Sequence, residues 1–162
     1  MGQWSKSVLA VAALTLAAGT AYAQSPHFVG RVTATLLANN DVQVCFKEAG
    51  LGSNVLIDYA ATANETATFV CVNRGGQCPN AANKQTIVGP ATGTGEFSSG
   101  KNGSIDKCII VHGIPAPDFC PGGQTETLDL IAYADITITD TTNDVSAGAT
   151  PSSFSANPFD CP

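Results

Sequence analysis

The two histidines are the side chains of this chain best suited to acid–base chemistry near neutral pH. His112 follows an alternating stretch at 104–111, whereas His27 lies near the start of the predicted mature chain, where chains usually fray. Nucleophilic catalysis would also need a serine or cysteine activated by the ring. No G-x-S-x-G motif is present. We therefore predict that the protein is not an enzyme, with a small extracellular hydrolase as an alternative.

Acidic side chains cluster near the end of the chain, and they could supply hard oxygen ligands for calcium. They are Asp129, Asp135, Asp140 and Asp144. Their spacing does not match a D-x-[DN]-x-[DN]-G loop, and Asp is an ordinary turn former. We expect no metal site and no cofactor, and calcium at Asp135, Asp140 and Asp144 stays as an alternative.

Two long loops rich in glycine and proline, 73–80 and 112–123, contain cysteines. Prolines and disulfides would rigidify these loops and lower the entropy lost on binding a partner. Arg74 and Phe119 are the candidate anchors in such loops. The alternative is that both loops only connect strands.

The cysteines predict a disulfide-stabilised protein. There are six: Cys45, Cys71, Cys78, Cys108, Cys120 and Cys161. Zinc sites favour closer pairs such as C-x2-C than this chain contains. We expect three disulfides, whose connectivity the sequence alone does not determine.

The first residues resemble a secretory leader. Lys6 provides a positive charge, 8–18 is a short apolar run, and Ala21-Tyr22-Ala23 is typical of a cleavage site. We predict a signal peptide at 1–23 and a single secreted, extracellular domain at 24–162, with no membrane insertion. The formal net charge of −6, without a basic cluster, argues against nucleic acid as a partner.

Positions 127–139 alternate between apolar and largely polar residues, which is typical of a strand with one buried face. A strand this long is expected to bend or bulge near 132–134. Shorter strand signals occur at 28–37, 41–47, 55–59, 66–72, 96–99, 104–111 and 150–154. Asn39-Asn40 and Asn102-Gly103 are turn signals, and Asn64 and Asn102 begin N-glycosylation sequons. This pattern predicts an all-β, antiparallel, immunoglobulin-like β-sandwich, with a small closed β-barrel as the alternative.

Five segments together resemble an uncharacterised group of small secreted β proteins from actinobacteria, some fungi and other soil microbes. They are CFKEAGLGSN, ATFVCVNRGGQCPNAANKQ, GEFSSGKNG, FCPGGQTETL and YADITITDTTN. The resemblance implies a disulfide between Cys71 and Cys120. The simplest completion is Cys78 with Cys108 and Cys45 with Cys161.

These observations favour a secreted non-enzymatic protein that binds an extracellular protein or a cell-surface component. One alternative is an inhibitor that acts through a disulfide-stapled loop. The other is the hydrolase already named.

Overall fold

The computed structural model describes residues 25–78 and 83–160. The predicted leader at 1–23, Cys161 and loop positions 79–80 lie outside these residues. The described part of the chain consists almost entirely of strands connected by turns, without an α-helix. The strands are β1 (His27–Phe28), β2 (Val32–Leu36), β3 (Val42–Ala49), β4 (Leu56–Asn73), β5 (Lys84–Ser98), β6 (Ser104–Val111), β7 (Gln124–Asp140), β8 (Val145–Thr150) and β9 (Phe154–Ala156).

The strands form two antiparallel groups. In the first group, β3 pairs with β6 along one edge, and with β1 and β2 in succession along the other. In the second group, β4 lies between β5 and β7, and β7 also pairs with β8 and β9. A short parallel pairing of β2 with β8 joins the groups into one sheet.

The sheet is open, so the closed-barrel alternative is wrong. Its outer strands, β5 and β6, approach each other, and an isolated bridge links Thr92 to His112. The approach is close at Gly93, where an added Cβ would clash with the Ile110 carbonyl oxygen. Glycine therefore permits this contact between the two backbones.

Inward-facing residues of both groups contribute to one hydrophobic core. On β3 and on β4 up to Ala67 the buried positions alternate along the strand, as a half-buried sheet requires, whereas 67–71 are buried without interruption. The rings of Phe46, Tyr59 and Phe97 pack together, with Phe46 and Tyr59 centroids 4.6 Å apart. This shared core holds the two groups together.

Register irregularities in β7 lie close to the predicted bend. Thr62 pairs with Thr137, but Asn64 pairs with Ala134, which leaves a bulge at 135–136. Asp135 adopts a left-handed conformation there, with φ of 54°, and accepts a hydrogen bond from the Asn64 side chain. The bulge therefore begins one residue beyond the predicted interval.

Two disulfides are defined by geometry, and they correct part of the expected pairing. Cys71 bonds Cys120, as the resemblance implies. Cys45 bonds Cys108, directly opposite it in the β3–β6 ladder. The expected pairings Cys78–Cys108 and Cys45–Cys161 are therefore wrong. The sequence signals for β3 and β6 did not reveal that these two strands are neighbours.

Candidate functional site

A polar cluster forms where the β2–β3 turn meets the segment that follows β6. Asn40 occupies the left-handed region of the turn, with φ of 68°. Asp41 Oδ2 accepts hydrogen bonds from Asn39 Nδ2 at 2.9 Å and pairs with His112 Nδ1 at 2.9 Å. Asp41 Oδ1 accepts the Gly113 amide at 3.2 Å. One carboxylate thus fastens the turn to the start of loop 112–123.

His112, the sequence-predicted candidate, lies at the outer rim of this cluster. Its side chain is 71% exposed, compared with 16% for Asp41. Among the described residues, its ring hydrogen-bonds to the Asp41 carboxylate and to no hydroxyl or thiol. In the described part of the chain, the ring of His112 is therefore paired with an aspartate but not with the nucleophile that a catalytic triad needs.

Glu65 lies behind this pair, on the inward face of β4, and is 1% exposed. Its Oε2 accepts the Ile114 amide at 2.8 Å, whereas Oε1 has no hydrogen-bond partner among the described residues. Burial raises the pKa of the Glu65 carboxyl, and the negative charge of Asp41 raises it further. The Ile114 N–H opposes both effects. Glu65 therefore holds a proton more tightly than an exposed glutamate does.

Tyr133 pairs with Glu65 across the β4–β7 ladder and donates its hydroxyl to the Asn40 carbonyl at 3.0 Å. Burial raises the pKa of Tyr133, so this phenol stays neutral. Gly113 lies against both side chains. A Cβ added there would be 2.9 Å from Tyr133 Oη and 3.3 Å from Glu65 Oε1. Glycine therefore leaves room for both polar atoms.

These groups line a surface cavity of about 160 Å³. Its walls are formed by Asn39, Asn40, Asp41, Glu65, Phe69, Gly113, Ile114, Leu128, Ile131 and Tyr133. The polar atoms come from the turn, from β4 and from the loop after β6, whereas Phe69, Leu128 and Ile131 supply an apolar wall. We call this space the Glu65 cavity.

The loop that borders the cavity is fastened at its far end as well. The Cys71–Cys120 disulfide attaches it to β4. Glu126 Oε1 accepts the amides of Cys120 at 3.0 Å and Phe119 at 3.4 Å. The Cys120 amide is the largest cause of a lowered Glu126 pKa. Phe119, a predicted anchor, is half-buried in this loop.

Arg74, the other predicted anchor, is exposed in a separate turn after β4. Asn73 Oδ1 accepts the amides of Gly75 at 2.9 Å and Gln77 at 3.1 Å, which organises the turn. Cys78, at the end of this turn, is disulfide-bonded. The structure therefore does not bring Arg74 together with His112.

The aspartates considered for calcium have separate roles. Asp129 pairs with Lys84 at 2.7 Å, and Asp135 accepts Asn64 Nδ2 at 2.9 Å. Asp140 is buried, and Asp144 is exposed in the β7–β8 turn. Over 25–78 and 83–160, no group of three or more His, Cys, Asp or Glu side chains is arranged to hold a metal ion.

Sequence reasoning missed Glu65 and a second buried carboxyl, Glu48. Glu48 is 0% exposed on β3, and its Oε2 accepts the Tyr59 hydroxyl at 2.7 Å. Burial raises the pKa of Glu48 to about 7 against the effect of that hydrogen bond, and the neighbouring Asp140 raises it further. The sequence did contain an indication of their burial. Both glutamates occupy strand positions that alternate with exposed ones and therefore face inward.

The remaining sequence candidates lie apart from the cavity. His27 Nδ1 contacts the Ser25 carbonyl at 2.8 Å. Asn64 is exposed in β4 with its amide engaged by Asp135, and Asn102 is exposed in the β5–β6 turn. No helix within the described residues is long and apolar enough to cross a membrane.

No protein-family model, curated protein or solved structure matches this chain. The resemblance to small secreted proteins of soil microbes stays a prediction.

Proposed function

We propose that this is a secreted, non-enzymatic protein that binds an extracellular protein or a cell-surface component through the Glu65 cavity and loop 112–123. The observation that carries the proposal is Glu65, a buried residue of the cavity lining whose Oε1 has no hydrogen-bond partner among the described residues. Burying a carboxylate oxygen without a donor is unfavourable. A partner that donates a hydrogen bond to this atom would relieve that cost.

The rigidity of the cavity border supports binding. Asp41 and Glu65 hold the Gly113 and Ile114 amides at one end of the loop, and the Cys71–Cys120 bond holds the other. A loop ordered before the partner arrives loses little conformational entropy on association. The loop is therefore suited to recognition.

Disulfides support the extracellular location. Two are defined among the described residues, and disulfides are typical of extracellular proteins. Secretion itself rests on the predicted leader. We also propose that the two strand groups, packed over one core, form an immunoglobulin-like sandwich, since both groups contribute to the same hydrophobic cluster.

Inhibition through the Arg74 turn is a second candidate function. Asn73 preorganises this turn and leaves Arg74 exposed next to a disulfide-bonded cysteine. Protease inhibitors commonly present such an exposed anchor on a rigid loop. This site lies on a different segment from the Glu65 cavity, so the two candidates can be separated by mutation.

The test is retention of partners by the immobilised exported protein from culture supernatant and cell-wall fractions of the producing cell. We expect a partner that wild type retains, that Asp41→Asn/Glu65→Gln loses, and that the control Thr139→Ala keeps. Loss in Arg74→Ala alone, with protease inhibition, would favour the second candidate. Turnover on a substrate panel that His112→Ala abolishes would overturn both in favour of a hydrolase.

A further inference from the structure

Several hydrogen-bond donors at the Glu65 cavity are already engaged by its carboxylates. The Asn39 Nδ2 and Gly113 amide donors are engaged by Asp41, and the Ile114 amide is engaged by Glu65. Glu65 Oε1 has no partner in the described part of the chain. A ligand that brings a donor can therefore pair with an acceptor that the protein leaves unused.

The Tyr133 hydroxyl is also committed as a donor, to the Asn40 carbonyl, which leaves its oxygen free to accept. Tyr133 Oη and Glu65 Oε1 both lie within 3.3 Å of the single point where a Gly113 Cβ would stand. The two acceptors thus converge beside the glycine.

The charge at the cavity selects a cation. Asp41 and Glu65 both line it, and its lining residues include no lysine or arginine. His112 pairs with Asp41 from the exposed side and is not a lining residue. Carboxylates that are partly shielded from water attract a positive group more strongly than exposed ones do.

The arrangement of oxygens favours an ammonium over a guanidinium. A guanidinium binds a carboxylate best through both oxygens at once. Glu65 has only Oε1 available because Oε2 holds the Ile114 amide. A compact ammonium, which donates in three directions, can use one carboxylate oxygen and a phenol oxygen together.

The volume of the cavity and its apolar lining limit the size and polarity of the group attached to the ammonium. A cavity of about 150 Å³ lined by apolar side chains accommodates a benzene-sized molecule. The Glu65 cavity has a volume of about 160 Å³, with Phe69, Leu128 and Ile131 along one wall. A stem of about four methylene groups matches that space, and its burial is favourable.

We propose that the Glu65 cavity binds a primary ammonium group on a short aliphatic stem, either a lysine side chain of a partner protein or a free alkylamine. The proposal deepens the proposed function and rests on it only for the lysine-bearing partner. Binding displaces the proton that burial favours on Glu65, so affinity rises with pH as Glu65 ionises. Asp41 and Tyr133 are the other titratable groups that line the cavity, and His112 faces Asp41.

The experiment is a titration of the full exported chain with n-butylammonium chloride, followed by the NMR amide signals of Gly113 and Ile114. We expect saturable shifts and an affinity that is at least about tenfold weaker in Glu65→Gln, which loses a charge-assisted hydrogen bond. Glu48→Gln is the matched control and keeps wild-type affinity. Equal binding by wild type and Glu65→Gln would overturn the proposal.

Further probes test the ligand chemistry. n-Butanol should bind at least about tenfold more weakly, because it lacks the charge. n-Propylguanidinium should bind more weakly than the amine, and tighter binding by it or by butanol would overturn the proposal. An Nα-acetylated lysine amide tests the protein source. If it binds, a lysine side chain is accepted; if only butylamine binds, the site takes free amines.

If Glu65→Gln fails to fold, the affinity of wild type for n-butylammonium, measured against pH, provides a second test. Affinity should fall about tenfold for each pH unit below the Glu65 pKa, while the amine remains charged below its own pKa of about 10. A flat profile from about pH 4 to about pH 9 would overturn the proposal. If amines bind but no partner is retained in the capture experiment, only the proposed function fails.

Discussion

Two buried glutamates in different parts of the core invite comparison, because each has a buried tyrosine close by. Glu48 accepts the Tyr59 hydroxyl, whereas Glu65 accepts a backbone amide from loop 112–123 and lies opposite Tyr133. Both carboxyls have a raised pKa, with burial as the largest cause. The two carboxyls differ in their surroundings: Glu48 has a second carboxyl beside it, whereas Glu65 lines a cavity.

At the Glu48 end, the neighbouring group is another carboxyl, Asp140. Asp140 accepts the amides of Thr142 at 2.8 Å and Asn143 at 2.9 Å, and the Asn143 side chain at 2.6 Å. Glu48 Oε1, like Glu65 Oε1, has no hydrogen-bond partner among the described residues. A proton on Glu48 would let it donate to the neighbouring Asp140. A cavity of about 420 Å³ lies near Tyr59, but neither carboxyl is among its lining residues.

Glu65, in contrast, lines a cavity, and its second oxygen has no hydrogen-bond partner among the described residues. A buried carboxyl in a β core is a binding candidate where it lines a cavity and keeps an oxygen without a hydrogen-bond partner. We therefore assign Glu48 a structural role and Glu65 a binding role. The following predictions test that distinction.

Removing each defined disulfide should have the largest effect. Cys71→Ala/Cys120→Ala and Cys45→Ala/Cys108→Ala should each lower the free energy of unfolding by about 4 kcal/mol, from the loop entropy regained by the unfolded chain. Urea denaturation measures this loss. Only the first pair should also increase hydrogen exchange across 112–123, because that disulfide fastens the loop. Equal exchange in both variants would contradict a loop fastened by the Cys71–Cys120 disulfide.

Stability should depend on pH through Glu48. Its pKa is about 7 in the folded state and near 4.5 when unfolded, so the folded state holds the proton more tightly. The associated stabilisation is complete below about pH 4.5 and is lost as pH rises through about 7, an effect on the order of 3 kcal/mol. Glu48→Gln should flatten this part of the profile of unfolding free energy against pH. An unchanged slope would show that Glu48 is not the group responsible.

Removing the Tyr59 hydroxyl should lower the free energy of unfolding more than removing the Tyr133 hydroxyl. Tyr59→Phe leaves Glu48 Oε2 buried without its donor and should cost about 1–3 kcal/mol in unfolding free energy. Tyr133→Phe should cost about 1 kcal/mol, because the freed Asn40 carbonyl borders a cavity that water can enter. Thermal and urea unfolding measure both losses. A larger loss of unfolding free energy for Tyr133→Phe than for Tyr59→Phe would contradict the structural role assigned to Glu48 and the binding role assigned to Glu65.

The His112–Asp41 pair should contribute least to stability. His112 is largely exposed, and exposed ion pairs typically contribute less than about 1 kcal/mol. His112→Ala should therefore leave the free energy of unfolding almost unchanged in urea denaturation. A loss of several kcal/mol would show that the rim of the cavity is part of the structural framework.

The strand signals that rested on clear alternation gave correct elements. β6 at Ser104–Val111 matches its predicted bounds, and the Asn39-Asn40 turn joins β2 to β3 as expected. The signals at 55–59 and 66–72 belong to one strand, β4, because pairing with β5 and β7 on both sides supports the weak strand formers between them.

Most of β5 was missed for a physical reason. Glycine and proline are poor strand formers, and this strand contains Pro90 and Gly93. Proline is tolerated here because β5 is an outer strand of the open sheet. Pairing with β4 therefore stabilises a strand here although the local sequence disfavours one.

The candidate site was only partly predictable. His112 and loop 112–123 were recognised from residue type and composition, but their partner Asp41 lies on a distant turn. The strand phase of Glu65 indicated burial, but the approach of Ile114, which makes this carboxyl part of a site, is a tertiary effect.

The most direct test measures both glutamate pKa values by NMR of carboxyl carbons, with and without n-butylammonium. We expect that the amine lowers the raised pKa of Glu65 and leaves that of Glu48 at about 7. Equal shifts at both carboxyls, or no shift at Glu65 at saturating amine, would contradict the assignment of a binding role to Glu65 alone.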